Sequence, residues 1–273
     1  MPVLSICNHK GGTGKTTSAI HLTAAFGLSG RRVLLIDLDP QGFLTRLLGE
    51  EEPPEAHSSL ALFDPTVELS ALTVRTLKGF DLLPASYSMT KAARRLNKPT
   101  DVLWLKESLA TRHDYDLIVL DTAAAMTVFS LNALVASDVV LIPVTPEYQP
   151  VIGAEQTYAT ARLVQDKLNP RLAEPLFLVT QVDARKRDHQ ALGAYVRRTY
   201  AERVLRTEIR TSASLAESAA GGVTVFDRDV HARGAQDYAN AADELLRALY
   251  PEGEQPRPEP APTAGTWATL TDL

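Results

Sequence analysis

Lys10-Gly11-Gly12-Thr13-Gly14-Lys15-Thr16-Thr17 lies between a short apolar run, Val3-Leu4-Ser5-Ile6-Cys7, and a stretch over residues 16–29 with apolar side chains at Ile20, Leu22, Ala25, Phe26 and Leu28. The run suits a buried parallel strand and the stretch has helical spacing, so the eight residues join a strand to a helix N-terminus. Glycines at such a junction let successive backbone N–H groups turn inward toward phosphate oxygens, and the helix adds the positive end of its dipole. In that cradle Lys15 reaches the β- and γ-phosphates and the Thr16 hydroxyl ligates Mg²⁺. The expected ligand is a nucleotide held by Gly11, Gly12, Thr13, Gly14, Lys15, Thr16 and Thr17. Lys10 is a second lysine, five positions before the usual one, and it narrows the reading most.

Outward from the loop, Val33-Leu34-Leu35-Ile36 runs into Asp37-Leu38-Asp39-Pro40-Gln41-Gly42. Alternate side chains of a strand share a face, so Asp37 and Asp39 are placed together where a parallel strand exits toward a ligand crevice. A carboxylate pair beside Mg²⁺-bound phosphates suits metal-water ligation and orientation of an attacking water. Tyr115-Asp116-Leu117-Ile118-Val119-Leu120-Asp121 is a second apolar strand ending in an acid, and Asp121 is expected to hold Mg²⁺ through water. Pro146, Thr180 and Asp183 follow strand ends on the same side and are candidate adenine contacts, with Asp183 accepting from the exocyclic amine; each equally suits a strand-end cap. His9, His189 and His231 have no metal-ligand spacing and read as surface or packing residues.

Further strands are expected over residues 139–144, 176–182 and 204–209. Helices are expected over residues 86–96, 102–112, 128–136, 153–168, 189–200 and 235–249. This alternation is the pattern of an α/β domain: a mostly parallel twisted sheet flanked by helices on both faces. With 273 residues, 45% of them hydrophobic, one such domain over residues 1–250 has an ample core. Residues 50–58 read as a surface loop. Residues 251–273 contain five prolines and few large apolar residues and read as a disordered tail, with Trp267 and Leu270 either incidental or a short docking motif. The single cysteine, Cys7, falls in the first strand, which excludes a disulfide framework or a cysteine metal cluster within one chain and fits a reducing cytoplasm. Without a basic-then-apolar leader or an apolar run of membrane-spanning length, a soluble protein is expected.

In order, these strings resemble the ParA/MinD superfamily of deviant Walker ATPases, and within it the small Soj-like ParA proteins of chromosome and plasmid partition. The resemblance covers residues 3–249. It extends from Asn8-His9 through the loop, the Asp37–Asp39 strand end and the Asp121 strand to Leu131-Asn132-Ala133-Leu134 and Leu141-Ile142-Pro143-Val144-Thr145-Pro146-Glu147-Tyr148. The resemblance implies a P-loop NTPase fold, ATP and Mg²⁺ as cofactors, and weak intrinsic ATPase activity. It also implies an ATP-bound sandwich homodimer in which Lys10 crosses to the partner's phosphates, Asp39 positions the attacking water, and Lys10, Lys15 and Asp39 are the catalytic set. Thr16, Asp37 and Asp121 are then the metal residues. The dimer binds double-stranded DNA without sequence preference, a ParB-like activator stimulates hydrolysis, and the protein is cytoplasmic and nucleoid-associated, with no membrane partner. Two departures stand out. Asp121-Thr122-Ala123-Ala124-Ala125-Met126 replaces the family's Asp-Cys-Pro-Pro, which loosens a switch segment. Of two DNA-binding arginine positions, one matches Arg185 and the other falls on Ser214, with Arg210 placed to compensate.

Net charge is −5, yet eight basic residues face three acids between Ala184 and Arg210. Distribution, not the sum, is what a DNA backbone reads. Arg185, Lys186, Arg187 and Arg210 are the candidate DNA contacts, while Arg197, Arg198, Arg203 and Arg206 equally suit a solvated face with local acids. Few aromatics accompany them, which favours duplex over single-strand contact. Two alternatives remain: a ParA-like ATPase that positions cargo or acts as a scaffold with little DNA binding, and a MinD-like membrane-cycling ATPase, which requires a basic amphipathic C-terminal helix where this chain is Pro-rich and acidic.

Overall fold

The computed structural model describes residues 1–49, 53–64, 66–96, 98–111 and 113–250. The tail expected from residue 251 onward, part of the loop expected at 50–58, and the Arg112 end of one predicted helix lie outside the described residues. A seven-stranded sheet has the order β3-β4-β2-β5-β1-β6-β7, where β1 is Val3–Ile6, β2 Val33–Asp37, β3 Arg75–Leu77, β4 Phe80–Leu83, β5 Leu117–Asp121, β6 Val139–Val144 and β7 Leu176–Val179. Every pairing is parallel except the β3–β4 hairpin.

The two faces of the sheet follow the two-residue alternation of the strands. Leu4 and Ile6 of β1, Val33 and Leu35 of β2, and Leu117 and Val119 of β5 share a core with α1 (Lys15–Leu28) and α10 (Arg233–Leu249). Val3, Leu34, Ile36, Ile118 and Leu120 point to the other face. There they meet α4 (Trp104–Leu109) and α5 (Val128–Ala136), while β6 and β7 pack on α6 (Tyr148–Lys167) and α7 (Arg187–Tyr200). Burial on both faces is why these strands read as continuous apolar runs. Four shorter helices lie around the sheet: α2 (Phe43–Leu47), α3 (Ser88–Ala92), α8 (Ala213–Ala220) and α9 (Val225–Arg228), the last seated beside α1.

Three expectations are corrected. Residues 204–209 form no strand: Leu205 N and Ile209 N donate to Phe177 O and Val179 O of β7, but the N–H groups of Arg206 and Thr207 turn away to the Glu244 carboxylate on α10, at 2.7 and 2.8 Å. That detour interrupts the ladder and leaves isolated bridges. The strand expected over 176–182 stops at Val179, with Gln181 in the left-handed region at φ 55°. The helix expected over 102–112 divides into a 3₁₀ turn at Pro99–Leu103 and α4.

His21 of α1 is buried against α9 and α10, where its Nδ1 accepts from Val225 N at 3.4 Å and its ring lies 5.1 Å from that of Tyr238. Burial pushes its pKa down to about 3, only partly opposed by Asp227. The folded protein therefore keeps His21 neutral while the unfolded chain protonates it below about pH 6.5. Its contribution to stability is complete above about 6.5 and is lost as pH falls toward 3. The unfolding free energy from urea titrations is predicted to fall across this window by up to about 1.4 kcal/mol per pH unit from this group. His21→Asn should lack that component; identical pH slopes for the two proteins would contradict it.

Candidate functional site

The three neighbouring strands β2, β5 and β1 end level with one another: Asp37 is in register with Asp121, and Asp121 with Ile6. The glycine-rich loop leaves β1 beside this pair. Gly12 (φ 77°) and Gly14 (φ 81°) both take left-handed backbone, and Gly14 caps the N-terminus of α1. A side chain at either would be strained there. Thr13 is buried beneath the loop, and its carbonyl accepts the Thr180 hydroxyl at 2.9 Å. The Gln181 side chain donates to Gly12 O at 2.6 Å, so the segment after β7 holds the loop from one side.

Lys15 is 7% exposed, and its Nζ donates to Lys10 O at 2.9 Å, closing the loop on itself. Burial lowers its pKa, opposed mainly by the Asp121 carboxylate. The Thr16 hydroxyl donates to Asp121 Oδ2 at 2.8 Å. Asp121 is fully buried, and its Oδ1 has no hydrogen-bond partner among the described residues. Burial, then the neighbouring Asp37 charge, raise its pKa well above the carboxylate range. Asp37, also fully buried, is pushed up to about 6 by desolvation. Its oxygens are already occupied: Oδ1 accepts Asp39 N at 3.0 Å, and Oδ2 accepts Thr45 N and Oγ1 at 3.0 and 2.7 Å. Asp39 is half-buried, lines the cavity, and has one oxygen on Gln41 N at 2.9 Å.

A cavity of about 510 Å³ opens over the loop. Of the residues expected at the nucleotide or its attacking water, Gly11, Gly12, Gly14, Lys15, Thr16, Thr17, Asp39 and Thr180 line it, and Pro146 and Asp183 do not. Asp183 is instead gripped at both oxygens by Arg185, at 2.9 and 2.8 Å, which holds it below the usual carboxylate range. Arg210, expected on a DNA surface with Arg185, also lines the cavity, its guanidinium held by Asp237 of α10. The opposite wall is Leu215, Ala216 and Ala219 of α8. Asp237, Gln181 and the α8 wall carry no local sequence signature; tertiary packing alone delivers them.

Lys10 is exposed on the outer flank of the loop, and α6 fixes that flank. Lys10 N donates to Asn8 Oδ1 at 2.9 Å, Asn8 Nδ2 to Pro143 O at 2.7 Å, and His9 N to Thr157 Oγ1 at 2.8 Å. One turn before Thr157, Gly153 lies so close that a Cβ there would be 2.7 Å from Lys10 Cβ and 2.9 Å from Asn8 Oδ1. The segment after Asp121 is likewise tied down: Thr122 Oγ1 donates to Ile6 O at 2.8 Å, and Ala125 O accepts the Ser130 hydroxyl at 3.0 Å. Among the basic residues, Lys186 faces Glu147 at 3.8 Å, Arg197 pairs with Glu208 at 2.7 Å and Arg203 with Glu174 at 3.2 Å, whereas Arg187 and Arg198 are exposed.

A parallel sheet with this loop between β1 and α1, and an acid at the adjacent strand end, defines a P-loop NTPase. Residues 1–174 match the AAA_31 family of AAA domains. The chain is 36% identical over 244 residues to the chromosome-partitioning ATPase Soj of Thermus thermophilus, covering 89% of this chain and 94% of that protein. It is 34% identical over 250 residues to the sporulation initiation inhibitor protein Soj of Bacillus subtilis, covering 89% and 97%. Among solved structures, cobyrinic acid a,c-diamide synthase from Mycobacterium smegmatis with bound ATP analogue and magnesium matches with a TM-score of 0.76 at 33% identity, covering 90% of this chain and 95% of that one. The chain belongs to the ParA/Soj family of partitioning ATPases.

The Gly153 contact is directly testable. Gly153→Ala must push the Asn8–Lys10 flank off α6, and overpacking of this kind costs about 1–3 kcal/mol. Urea unfolding should show that loss, and the amide hydrogens of His9 and Lys10 should exchange faster. Unchanged stability and exchange would contradict the close approach.

Proposed function

We propose that this ParA-type ATPase binds ATP with Mg²⁺ in the cavity over the loop and pairs in that state as a homodimer. The dimer binds duplex DNA without sequence preference, and a ParB-like activator stimulates hydrolysis to release it. The observation that carries the reading is the division of labour between two lysines. Lys15 is buried and turned inward over the loop, whereas Lys10 is exposed and braced outward by Asn8, Thr157 and Gly153. An inward lysine serves the phosphates of its own subunit. An outward one adds charge to developing phosphate negativity only when a second subunit meets it.

The acids fit a hydrated Mg²⁺. Asp121 offers a buried oxygen without a partner among the described residues, and burial and the Asp37 charge raise its pKa despite the nearby Lys15. With the loop binding phosphate, Thr16 and Asp121 would hold the ion, which supplies charge neutralisation of the β- and γ-oxygens. Asp37 supports this arrangement by fixing Asp39 N and Thr45 and by adding negative charge beside Asp121. Asp39, on the cavity wall, is placed to orient the attacking water. Gly11 to Thr17 cradle the phosphates, and Thr180 acts by supporting Thr13. Pro146 and Asp183 remain outer candidates for the adenine end.

The exposed Arg185–Lys186–Arg187 run at the start of α7 supports DNA contact, with Arg187 and Arg198 presenting charge to solvent. On this reading the protein works in the cytoplasm on the nucleoid, with weak basal turnover. A cargo-positioning role with little DNA binding is favoured by one observation: Arg185 is bidentate to its own Asp183, and Ser214, at the second arginine position, bonds to Ser212.

Lys15→Ala should weaken ATP binding by at least about 10- to 100-fold, the worth of a charged hydrogen bond. Lys10→Ala should bind ATP normally yet stay monomeric in light scattering, and Asp39→Ala should give a long-lived ATP dimer. A Lys10→Ala protein that dimerises like wild type would overturn the sandwich reading.

A further inference from the structure

At the end of the sheet opposite the phosphate loop, a second cavity of about 630 Å³ lies under the β3–β4 hairpin and the starts of β2 and β5. Its size is that of clefts that hold a drug-sized ligand. Its walls are mainly apolar: Leu69 and Phe80 are buried at its floor, while Leu72, Val74 and Leu77 are half-buried along its side. β3 is the outermost strand of the sheet. An open strand edge pairs with foreign chains unless it is charged or covered, and β3 carries a single charge, Arg75.

The described chain ends at the rim of this cleft. Tyr250, just past α10, donates its hydroxyl to Asp116 O at 2.6 Å, and the guanidinium of Arg31 sits over its ring at 5.2 Å. Arg31 is itself a cleft residue, and its buried Nε has no hydrogen-bond partner among the described residues. The next residues in sequence are Pro251, Glu252, Gly253 and Glu254, followed by a Pro-rich stretch and then the large apolar residues of the terminus, Trp267, Leu270 and Leu273. Sixteen residues separate Tyr250 from Trp267, a reach of up to about 50 Å at ~3.1 Å per residue.

We propose that the segment over residues 265–273 of this same chain docks in the cleft, with Trp267 and Leu270 against the Leu72–Val74–Leu77 side and with Glu252 or Glu254 beside Arg31. Chain exit at the rim beside an orphaned arginine N–H, acids at the next positions in sequence, and an apolar anchor of fitting chemistry all select this occupant. Tethering supplies an effective concentration on the order of millimolar, so a weak contact suffices. The docked segment covers the β3 edge and leaves the nucleotide end of the sheet free.

The test uses the full chain. Subtracting the spectra of Trp267→Phe from wild type isolates Trp267 from Trp104, and acrylamide quenching then reports its exposure. The proposal expects blue-shifted emission and quenching several-fold weaker than for N-acetyltryptophanamide, with Leu72→Asp and Val74→Asp each restoring free-like quenching. Far-UV circular dichroism and ATP binding should be unchanged in both variants, since the cleft lies away from the loop. Free-like quenching of Trp267 in wild type would overturn the proposal. So would protection that survives both aspartates, or protection that grows with protein concentration, which would place the segment in a second copy.

Discussion

The level ending of β1, β5 and β2 is the constraint on which the site rests. Parallel pairing aligns Ile6 with Asp121 and Asp121 with Asp37, so the loop that starts just beyond β1 meets two buried acids, one of which accepts the Thr16 hydroxyl. A slip of one residue in either pairing would turn the acid to the opposite face of the sheet. The apolar faces of these strands forbid it: Leu4, Leu35 and Val119 belong to one core and Leu34, Ile118 and Leu120 to the other. The hydrophobic register therefore also sets the register of the two acids.

That arrangement gathers charge that the protein alone does not balance. Burial depresses the pKa of Lys15 and raises those of Asp37 and Asp121. A cradle of backbone N–H groups with a buried lysine favours an anion, and an acid pair with one unpartnered oxygen favours a cation. A metal–nucleotide complex satisfies both together, whereas either component alone relieves only part of the cost. The exposed Lys10 stands outside this balance, on a flank set by the close approach of Gly153.

What the sequence made legible were features with short-range causes. β1, β2, β5 and β6 are apolar because both their faces are buried, and the phosphate loop is recognisable because positive φ demands glycine at fixed positions. The β3–β4 hairpin escaped notice because its strands are three and four residues long and lie at the sheet edge, where Arg75 and Thr76 face solvent. Residues 204–209 look like a strand because Val204, Leu205 and Ile209 are buried, yet Glu244, some forty positions on, takes the N–H groups a ladder would need. Arg210 reads as part of a basic surface in the sequence, yet Asp237 holds it at the cavity over the loop. The last two misses each involve a partner distant in sequence.

The central claim is that nucleotide state governs DNA attachment. The most direct measurement is binding of the wild-type protein to arbitrary duplex DNA with ATP, with ADP and without nucleotide, at two salt concentrations. The account predicts binding only with ATP and a steep loss of affinity at the higher salt, since attachment rests on phosphate contacts. Binding of equal strength in all three states, or none in any, would contradict it.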